Sequence, residues 1–127
     1  MIDLEKNRPL KVVLIEDETH LLEAMRDIFE DLYEVNAFSN MDSALIWLDE
    51  GHDFDVIVSD LNMPKKTGRD LYMQLKKKGR GEESKIIFMT GGIFTADLAE
   101  WFVSIPNTKF EKPFNINVLR ELLGSMT

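Results

Sequence analysis

Short apolar runs alternate along the chain with longer segments whose apolar residues recur every three or four positions. The runs at 12–15, 56–58 and 86–89 contain no polar alternation. This is typical of strands that are covered on both faces of a parallel sheet. The run at 33–38 alternates between apolar and polar residues, and the run at 109–111 is the shortest. Together these patterns predict five strands.

Five helices are predicted between and after these strands. They cover residues 19–32, 39–51, 68–78, 94–105 and 115–126. In each segment one stripe of apolar residues can pack on the sheet, including the aromatic stripe of the fourth segment, which begins at Phe94. Alternation of strands and helices favours a parallel sheet with helices on both faces.

The sequence predicts core-facing residues, cap residues and solvated charges near the ends of the helices. The residues expected to face the core near these ends are Leu32, Val118 and Met126. Ser39 with Asp42 is expected to cap the second helix, and Asn115 to cap the fifth. The lysines at 76–78 are interpreted as a solvated helix end, with a docking patch as the alternative.

Composition narrows the class of protein. The 127 residues suit one domain over 1–127 with a polar lead-in at 1–9, and the absence of cysteine excludes disulfides and thiolate metal sites. No stretch approaches the ~20 apolar residues of a membrane span, so a cytoplasmic protein is expected. The formal net charge of -8 opposes binding to nucleic acid or anionic lipid. No basic DNA-binding segment and no separate output domain is expected.

Polar and charged residues stand where four of the predicted strands end. Glu16 and Asp17 follow the first run, Asp60 follows the third, Thr90 the fourth, and Lys112 the fifth. Right-handed crossovers bring the carboxyl ends of parallel strands to one edge of the sheet, where open α/β sheets bind their ligands. We therefore expect these side chains to converge in one cleft.

The loop after Asp60 is expected to be sharply shaped. Pro64 keeps Met63 out of the α region, and Gly68 is expected to free the backbone before the next helix.

The converging residues suit phosphoryl transfer. Asp17 and Asp60 offer hard oxygen ligands for Mg²⁺, and Glu16 would reach the ion through water. The Lys112 ammonium and the Thr90 hydroxyl can hold phosphoryl oxygens, while Asp60 can act as a carboxylate nucleophile that forms an aspartyl-phosphate.

Each residue of this set also has an ordinary structural explanation. Asp60 can be a loop or capping residue, and Thr90 can cap the end of a strand. Lys112 can be a surface lysine, and the acids at 16–18 can form a solvated loop. Their joint placement at strand ends favours a shared site.

The order and spacing of these residues resemble a known family. The separations are 43 residues from Asp17 to Asp60, 30 to Thr90 and 22 to Lys112. The matching positions are Glu16, Asp17, Asp60, Asn62, Met63, Pro64, Gly68, Thr90, Lys112 and Pro113. From about Leu10 to Met126 the sequence resembles the receiver domain of two-component response regulators.

This resemblance implies a fold and a set of residue roles. The fold would be a flavodoxin-like α/β fold with a five-stranded parallel sheet in the order 2-1-3-4-5, flanked by five helices. Asp60 would be the phosphoacceptor, and the Mg²⁺ ligands would be Asp17, Asp60 and the backbone carbonyl of Asn62, with Glu16 as an outer ligand. Thr90 and Lys112 would hold the phosphoryl oxygens, and the peptide bond before Pro113 would be cis.

The resemblance also implies partners. A receiver takes its phosphoryl group from a phosphohistidine on a sensor histidine kinase or a histidine phosphotransfer protein, and then switches its surface for partner binding. The segment IPNTKFEKPF at 105–114 looks like the last strand of receiver domains fused to hybrid sensor kinases. Whether the chain forms a homodimer is left open.

Two departures from the family pattern concern switching and hydrolysis. Many receivers carry Tyr or Phe three residues before the lysine, where this chain has Lys109, and Phe110 would point to the opposite face of the strand. Output through the helix at 94–105 is the alternative. Asn62 and Gly92 occupy the two positions that tune hydrolysis of the acyl phosphate in the family.

Rival functions make different demands on the same residues. A small Mg²⁺-dependent phosphohydrolase would want a second acid two residues after Asp60, but position 62 is Asn. An interaction module that works unphosphorylated would have no use for the clustered charges, which cost stability. His20 is a rival phosphoacceptor, with a solvated histidine on the first helix as its ordinary explanation.

Overall fold

The strands form a single parallel sheet in the computed structural model of the chain, which describes residues 8–92 and 95–126. The strands are β1 (Lys11–Ile15), β2 (Glu34–Phe38), β3 (Val56–Asp60), β4 (Ile86–Thr90) and β5 (Lys109–Glu111). Their order is β2-β1-β3-β4-β5, and every neighbouring pair is parallel. This confirms the predicted fold and strand order.

Helices follow each strand and cover both faces of the sheet. They are α1 (Thr19–Phe29), α2 (Met41–Asp49), α3 (Gly68–Lys77), α4 (Ala96–Ser104) and α5 (Ile116–Gly124). A short 3₁₀ turn at Glu82–Lys85, which the apolar pattern does not predict, leads into β4. Within the described ranges no helix has the length and apolar character needed to cross a membrane.

Two apolar clusters lie on opposite faces of the sheet because successive strand residues point to opposite sides. On one face, Val13 and Ile57 pack with the buried side chains of α2, α3 and α4. On the other face, Val12 and Val58 pack with α1 and α5. All five residues of β3 are buried, so Asp60 is the last residue of a strand that is covered along its entire length.

Three predicted core positions near helix ends are wrong. Leu32 is 53% exposed, Val118 49% and Met126 45%. Helix α1 ends at Phe29 and α5 at Gly124, so Leu32 and Met126 lie beyond the helical turns that would have aimed them inward. Val118 lies inside α5, but only Leu119 and Leu123 of that helix are buried. Phe94, the predicted start of the fourth helix stripe, lies outside the described residues.

The cap of α2 is also different from the prediction. Asn40, rather than Ser39 or Asp42, is the N-cap, and its side chain accepts a hydrogen bond from the Ser43 amide N–H at 2.8 Å. Asp42 lies in the first turn, where its charge complements the helix dipole. The predicted cap of α5 is confirmed, since Asn115 accepts from the amide N–H of Asn117 at 2.9 Å.

Gly68 serves packing rather than backbone freedom. Its φ does not lie in the left-handed region. A Cβ at this position would lie 2.7 Å from Cε1 of the buried Phe88 ring and 3.2 Å from Cα of Leu61. The first turn of α3 therefore rests directly on the ring of Phe88. The helix is started by a capping box, in which Thr67 accepts from the third residue of the helix and Asp70 accepts from Thr67.

Candidate functional site

Asp60 stands at the carboxyl edge of the sheet with its carboxylate held on both sides. It is the last residue of β3 and is 5% exposed. Its Oδ1 accepts a hydrogen bond from the Asn62 amide N–H at 3.2 Å, and its Oδ2 accepts from Lys112 Nζ at 3.1 Å. The carboxylate is thus fixed at the edge of the sheet, with one ammonium in direct contact.

Lys112 joins two carboxylates from different strands. Its ammonium donates to Glu16 Oε1 as well as to Asp60 Oδ2, and its amide N–H donates to the Thr90 carbonyl at 2.7 Å. Burial alone would lower the pKa of Lys112, but the hydrogen bonds to Glu16 and Asp60 outweigh it, so the pKa lies above its ordinary value. The ammonium therefore stays charged across the neutral range.

Glu16 is a fully buried acid with one unused oxygen. Its exposure is 0%, and Oε2 has no hydrogen-bond partner among the residues that the structure describes. Burial raises the pKa of Glu16 to about 8, with a further rise from the neighbouring Asp60 carboxyl, against the lowering effect of Lys112. An acid buried with an unpaired oxygen is costly unless a further donor or a cation is bound beside it.

The acids at this edge fit a divalent cation. Ligand atoms of Glu16, Asp17 and Asp60 all lie within 4.8 Å of one another. Glu16 and Asp60 are buried, whereas Asp17 is exposed at the mouth. Carboxylate oxygens are the ligands that hard cations prefer, and the unpaired Oε2 of Glu16 is an oxygen that such an ion, or its water, would satisfy. The described residues therefore include an acidic cluster that could bind a metal.

Thr90 and Asn62 meet across the mouth of the site. The Thr90 hydroxyl donates to the Gly92 carbonyl and accepts from the Gly92 amide N–H, both at 3.1 Å. Asn62 Nδ2 donates to the same Gly92 carbonyl and lies 3.4 Å from Thr90 Oγ1. The side chain of Asn62 thus ties the loop after β3 to the loop after β4, a contact that the sequence pattern does not reveal.

The loop between β3 and α3 is tight and charged. Lys65 has a φ of 70°, and the Lys66 amide N–H donates to the Pro64 carbonyl at 2.8 Å, so Lys65 is the central residue of a γ-turn. Lys66 Nζ forms an ion pair with Asp42 Oδ1 of α2 at 2.9 Å. Pro64 was expected to shape this loop, but no motif predicted the left-handed conformation of a lysine.

Lys109 anchors α4 at the position where many receivers carry an aromatic residue. Its Nζ donates to the Ile105 carbonyl at 2.6 Å and lies 5.2 Å from the centroid of the Phe102 ring. Phe110 packs on the other side of the sheet against Phe114, with ring centroids 5.6 Å apart. The two residues face opposite sides of β5, as strand alternation predicts.

His20 lies near the site but not within the cluster. It is exposed at the start of α1 and lines a groove of about 460 Å³ together with Lys112 and Phe114. The described contacts of the buried acids involve Lys112 and the amide of Asn62, not His20.

Curated proteins resemble this chain over part or most of its length. The two-component response regulator ORR13 of Oryza sativa subsp. japonica is 39% identical over 70 residues, which is 54% of this chain and 58% of that protein. The chemotaxis protein CheY of Pseudomonas aeruginosa is 27% identical over 114 residues, which is 88% of this chain and 91% of that protein. The aligned segments span little more than half the length of ORR13 and of ORR8, another two-component response regulator of Oryza sativa.

Solved structures share the fold. The chemotaxis protein CheY4 of Vibrio cholerae superposes with a TM-score of 0.75 at 24% identity, covering 94% of this chain and 99% of that one. The receiver domain of the hybrid histidine kinase CckA superposes with a TM-score of 0.69 at 22% identity, covering 91% and 96%. At these identities the likeness establishes the flavodoxin-like receiver architecture.

A model of the response regulator receiver domain matches residues 12–124. That span contains all the site residues described above, from Glu16 to Lys112. The chain therefore belongs to the response regulator receiver domain family.

Proposed function

We propose that this chain is a phosphoacceptor in a two-component phosphorelay and that Asp60 receives the phosphoryl group. The observation that carries the proposal is the Asp60 carboxylate, which is buried at the sheet edge between the Lys112 ammonium and the acidic cluster. A carboxylate fixed in this way can attack phosphorus, while a nearby cation offsets the charge of the incoming oxygens.

The transfer itself is a displacement at phosphorus. An Asp60 Oδ forms a bond to phosphorus, while the bond from phosphorus to the donor nitrogen or oxygen breaks. The electron pair of the broken bond stays on the donor, which leaves as neutral imidazole after its nitrogen takes up a proton from water, or as a carboxylate if an acyl phosphate is used. In the transition state of this displacement, Lys112 binds one phosphoryl oxygen. The Thr90 hydroxyl gives up its hydrogen bond to the Gly92 carbonyl and donates to another phosphoryl oxygen instead.

The acidic cluster is proposed to hold Mg²⁺. Asp17, Asp60 and the Asn62 carbonyl would bind the ion and Glu16 would act through water; when bound, the ion neutralises charge on the phosphoryl oxygens. Asp17 contributes from the mouth, where it is exposed, and Glu16 supports it from the buried side. The chain thereby assists its own phosphorylation and, with water as the acceptor, its dephosphorylation.

The proposed donor is a phosphohistidine on a sensor histidine kinase or a histidine phosphotransfer protein. Phosphorylation would then shift the domain between two surface arrangements that a partner distinguishes. In this chain Lys109 holds the end of α4 through Ile105 and Phe102. A response at α4 would therefore involve release of this lysine rather than rotation of an aromatic ring.

Mass spectrometry of the intact protein tests the proposal. The protein is incubated with acetyl phosphate and Mg²⁺, and we expect a mass gain of one phosphoryl group. Asp60→Asn keeps the side-chain volume and should abolish the gain, whereas His20→Gln should retain it. Labelling that persists in Asp60→Asn, or that is lost in His20→Gln, would refute the assignment to Asp60.

A further inference from the structure

A strained lysine borders the mouth of the proposed phosphoryl site. Lys65 adopts a φ of 70° at the centre of the turn over residues 64–66. Residues with a Cβ rarely adopt this conformation, and glycine would adopt it without strain. Strained backbone persists where the surrounding structure enforces it and tends to occur at functional positions. The strained backbone therefore points to a functional role for the Lys65 side chain.

Lys65 differs from the other cations around the mouth because its charge is not paired. Lys66 is bound to Asp42 at 2.9 Å, and the Arg69 guanidinium lies over the Trp101 ring at 5.6 Å. Lys112 is engaged by Glu16 and Asp60. In the part of the chain that the structure describes, Lys65 forms no ion pair and acts on Asp42 only through its electrostatic field.

Lys65 shares a groove with the acidic cluster. A cavity of about 360 Å³ is lined by Lys65 and Lys66 together with Asp17, Asp42 and Met63. Asp17 belongs to the same cluster as Asp60. Lys65 and Asp17 thus line the same groove, and a small phosphodonor that approaches Asp60 along it passes both side chains.

The negative charge of the chain and of the site makes the position of Lys65 important for anionic phosphodonors. Phosphodonors are anions, whereas the chain carries a formal charge of -8, and the site presents the Asp17 and Asp60 carboxylates, with the buried Glu16 beside them, against the ammonium of Lys112. A bound divalent cation attracts a donor phosphate that is already in contact with it, but beyond a Debye length of about 8 Å this attraction is screened at physiological salt. An unpaired cation at the entrance offsets repulsion during approach.

We propose that Lys65 is a specificity-determining residue that attracts anionic phosphodonors to Asp60, in proportion to their negative charge. The inference rests on the proposed function. Lys65 takes no part in bond making or breaking, so its effect lies in the approach of the donor. For a unit charge and a dianion roughly 10 Å apart in water, Coulomb's law corresponds to a rate change of about fourfold at low ionic strength.

Initial rates of Asp60 phosphorylation test this proposal. Wild-type protein, Lys65→Gln, Lys65→Arg and Lys76→Gln are compared with saturating Mg²⁺ and with two donors, dianionic acetyl phosphate and monoanionic phosphoramidate. Lys76 is an exposed residue on α3, about 12 Å along the helix from its start, so Lys76→Gln makes the same change in net charge away from the groove.

We expect Lys65→Gln to lower the rate with acetyl phosphate about threefold to fourfold at low ionic strength, and to lower it less with phosphoramidate. The difference should largely disappear at about 0.5 M salt because the Debye length is then only a few ångströms. Lys65→Arg and Lys76→Gln should both behave as wild type.

Three results would overturn the proposal. They are an unchanged rate in Lys65→Gln, an equal loss in Lys76→Gln, and a loss of the same size with both donors. In each of these cases wild-type Asp60 is still phosphorylated, so the proposed function survives. An absence of any phosphorylation in the wild type would instead refute the proposed function, and the role of Lys65 with it.

Discussion

Replacement of Gly68 by alanine should destabilise the domain through a steric conflict at the start of α3. The added Cβ would lie 2.7 Å from Cε1 and 3.1 Å from Cδ1 of Phe88, whereas carbon atoms pack at about 3.5–4.0 Å. The Phe88 ring is fully buried, with its centroid 5.6 Å from that of Phe102 and 6.2 Å from that of Trp101. The ring therefore has little room to withdraw.

The expected destabilisation by Gly68→Ala is the difference between two opposing effects. Overpacking of a core costs about 1–3 kcal/mol, and the higher helix propensity of alanine returns at most about 1 kcal/mol. A net loss of about 1–2 kcal/mol in the free energy of unfolding is expected for Gly68→Ala. Urea denaturation followed by circular dichroism should show a lower midpoint with an unchanged m-value.

A matched control and a double mutant separate this conflict from a general effect of alanine. A Cβ at Gly91 would lie 3.8 Å from Cδ of Lys112, an ordinary contact, so Gly91→Ala should change stability by less than about 0.5 kcal/mol. In a Phe88→Leu background, Gly68→Ala should cost less than it does alone, because the ring of Phe88 is gone and the remaining close contact is with Cα of Leu61 at 3.2 Å. A Gly68→Ala protein as stable as wild type would refute the packing argument.

Three further predictions concern other contacts of the fold. Lys65→Gly should raise the free energy of unfolding by about 0.5–1 kcal/mol, measured by urea denaturation, because it relieves the left-handed strain; a loss of stability would contradict this. The hydrogen bonds from Arg8, at 2.8 and 2.9 Å, lower the pKa of the Asp55 carboxyl despite its partial burial. The stabilisation by this ion pair is therefore present above the unfolded pKa of about 3.9, and it is lost as pH falls through the lower folded pKa. Asp55→Asn should therefore be less stable than wild type by about 1 kcal/mol at pH 7, and thermal melts of the two proteins should converge as pH falls through the lowered pKa of Asp55; a constant gap between the melts would contradict this. Lys109→Met should lower stability by about 1 kcal/mol because the Ile105 carbonyl loses its donor, and amide exchange should quicken at the end of α4; unchanged exchange there would contradict the anchoring role.

The sheet was predictable because its strands have an unambiguous pattern. The runs at 56–58 and 86–89 are wholly apolar, and in the structure β3 and β4 are buried along their entire length. Helix ends were less predictable, because periodicity continues past the residue at which a helix stops. Leu32 fits the stripe of α1 by spacing but follows the end of the helix. The cap of α2 has no unique signal in the sequence, because Ser39, Asn40 and Asp42 are all residue types that cap helices.

The membership of the candidate site was predictable from topology, but its contacts were not. Parallel strands bring their carboxyl ends to one edge whatever their separation in sequence, and this places Glu16 beside Lys112. The unpaired oxygen of Glu16, the bridge from Asn62 to Gly92 and the left-handed turn at Lys65 depend on side-chain rotamers and local backbone geometry. Spacing along the chain carries no signal for such features.

Reductive trapping tests the central claim most directly, because it identifies the residue that carries the phosphoryl group. The protein is phosphorylated with acetyl phosphate and Mg²⁺ and treated with borohydride, which converts an acyl phosphate of aspartate to homoserine, and the peptides are then sequenced by mass spectrometry. We predict homoserine at position 60 and at no other acid, and none when Mg²⁺ is replaced by a chelator. Homoserine at Asp17, or a borohydride-resistant phosphate on His20, would contradict the account.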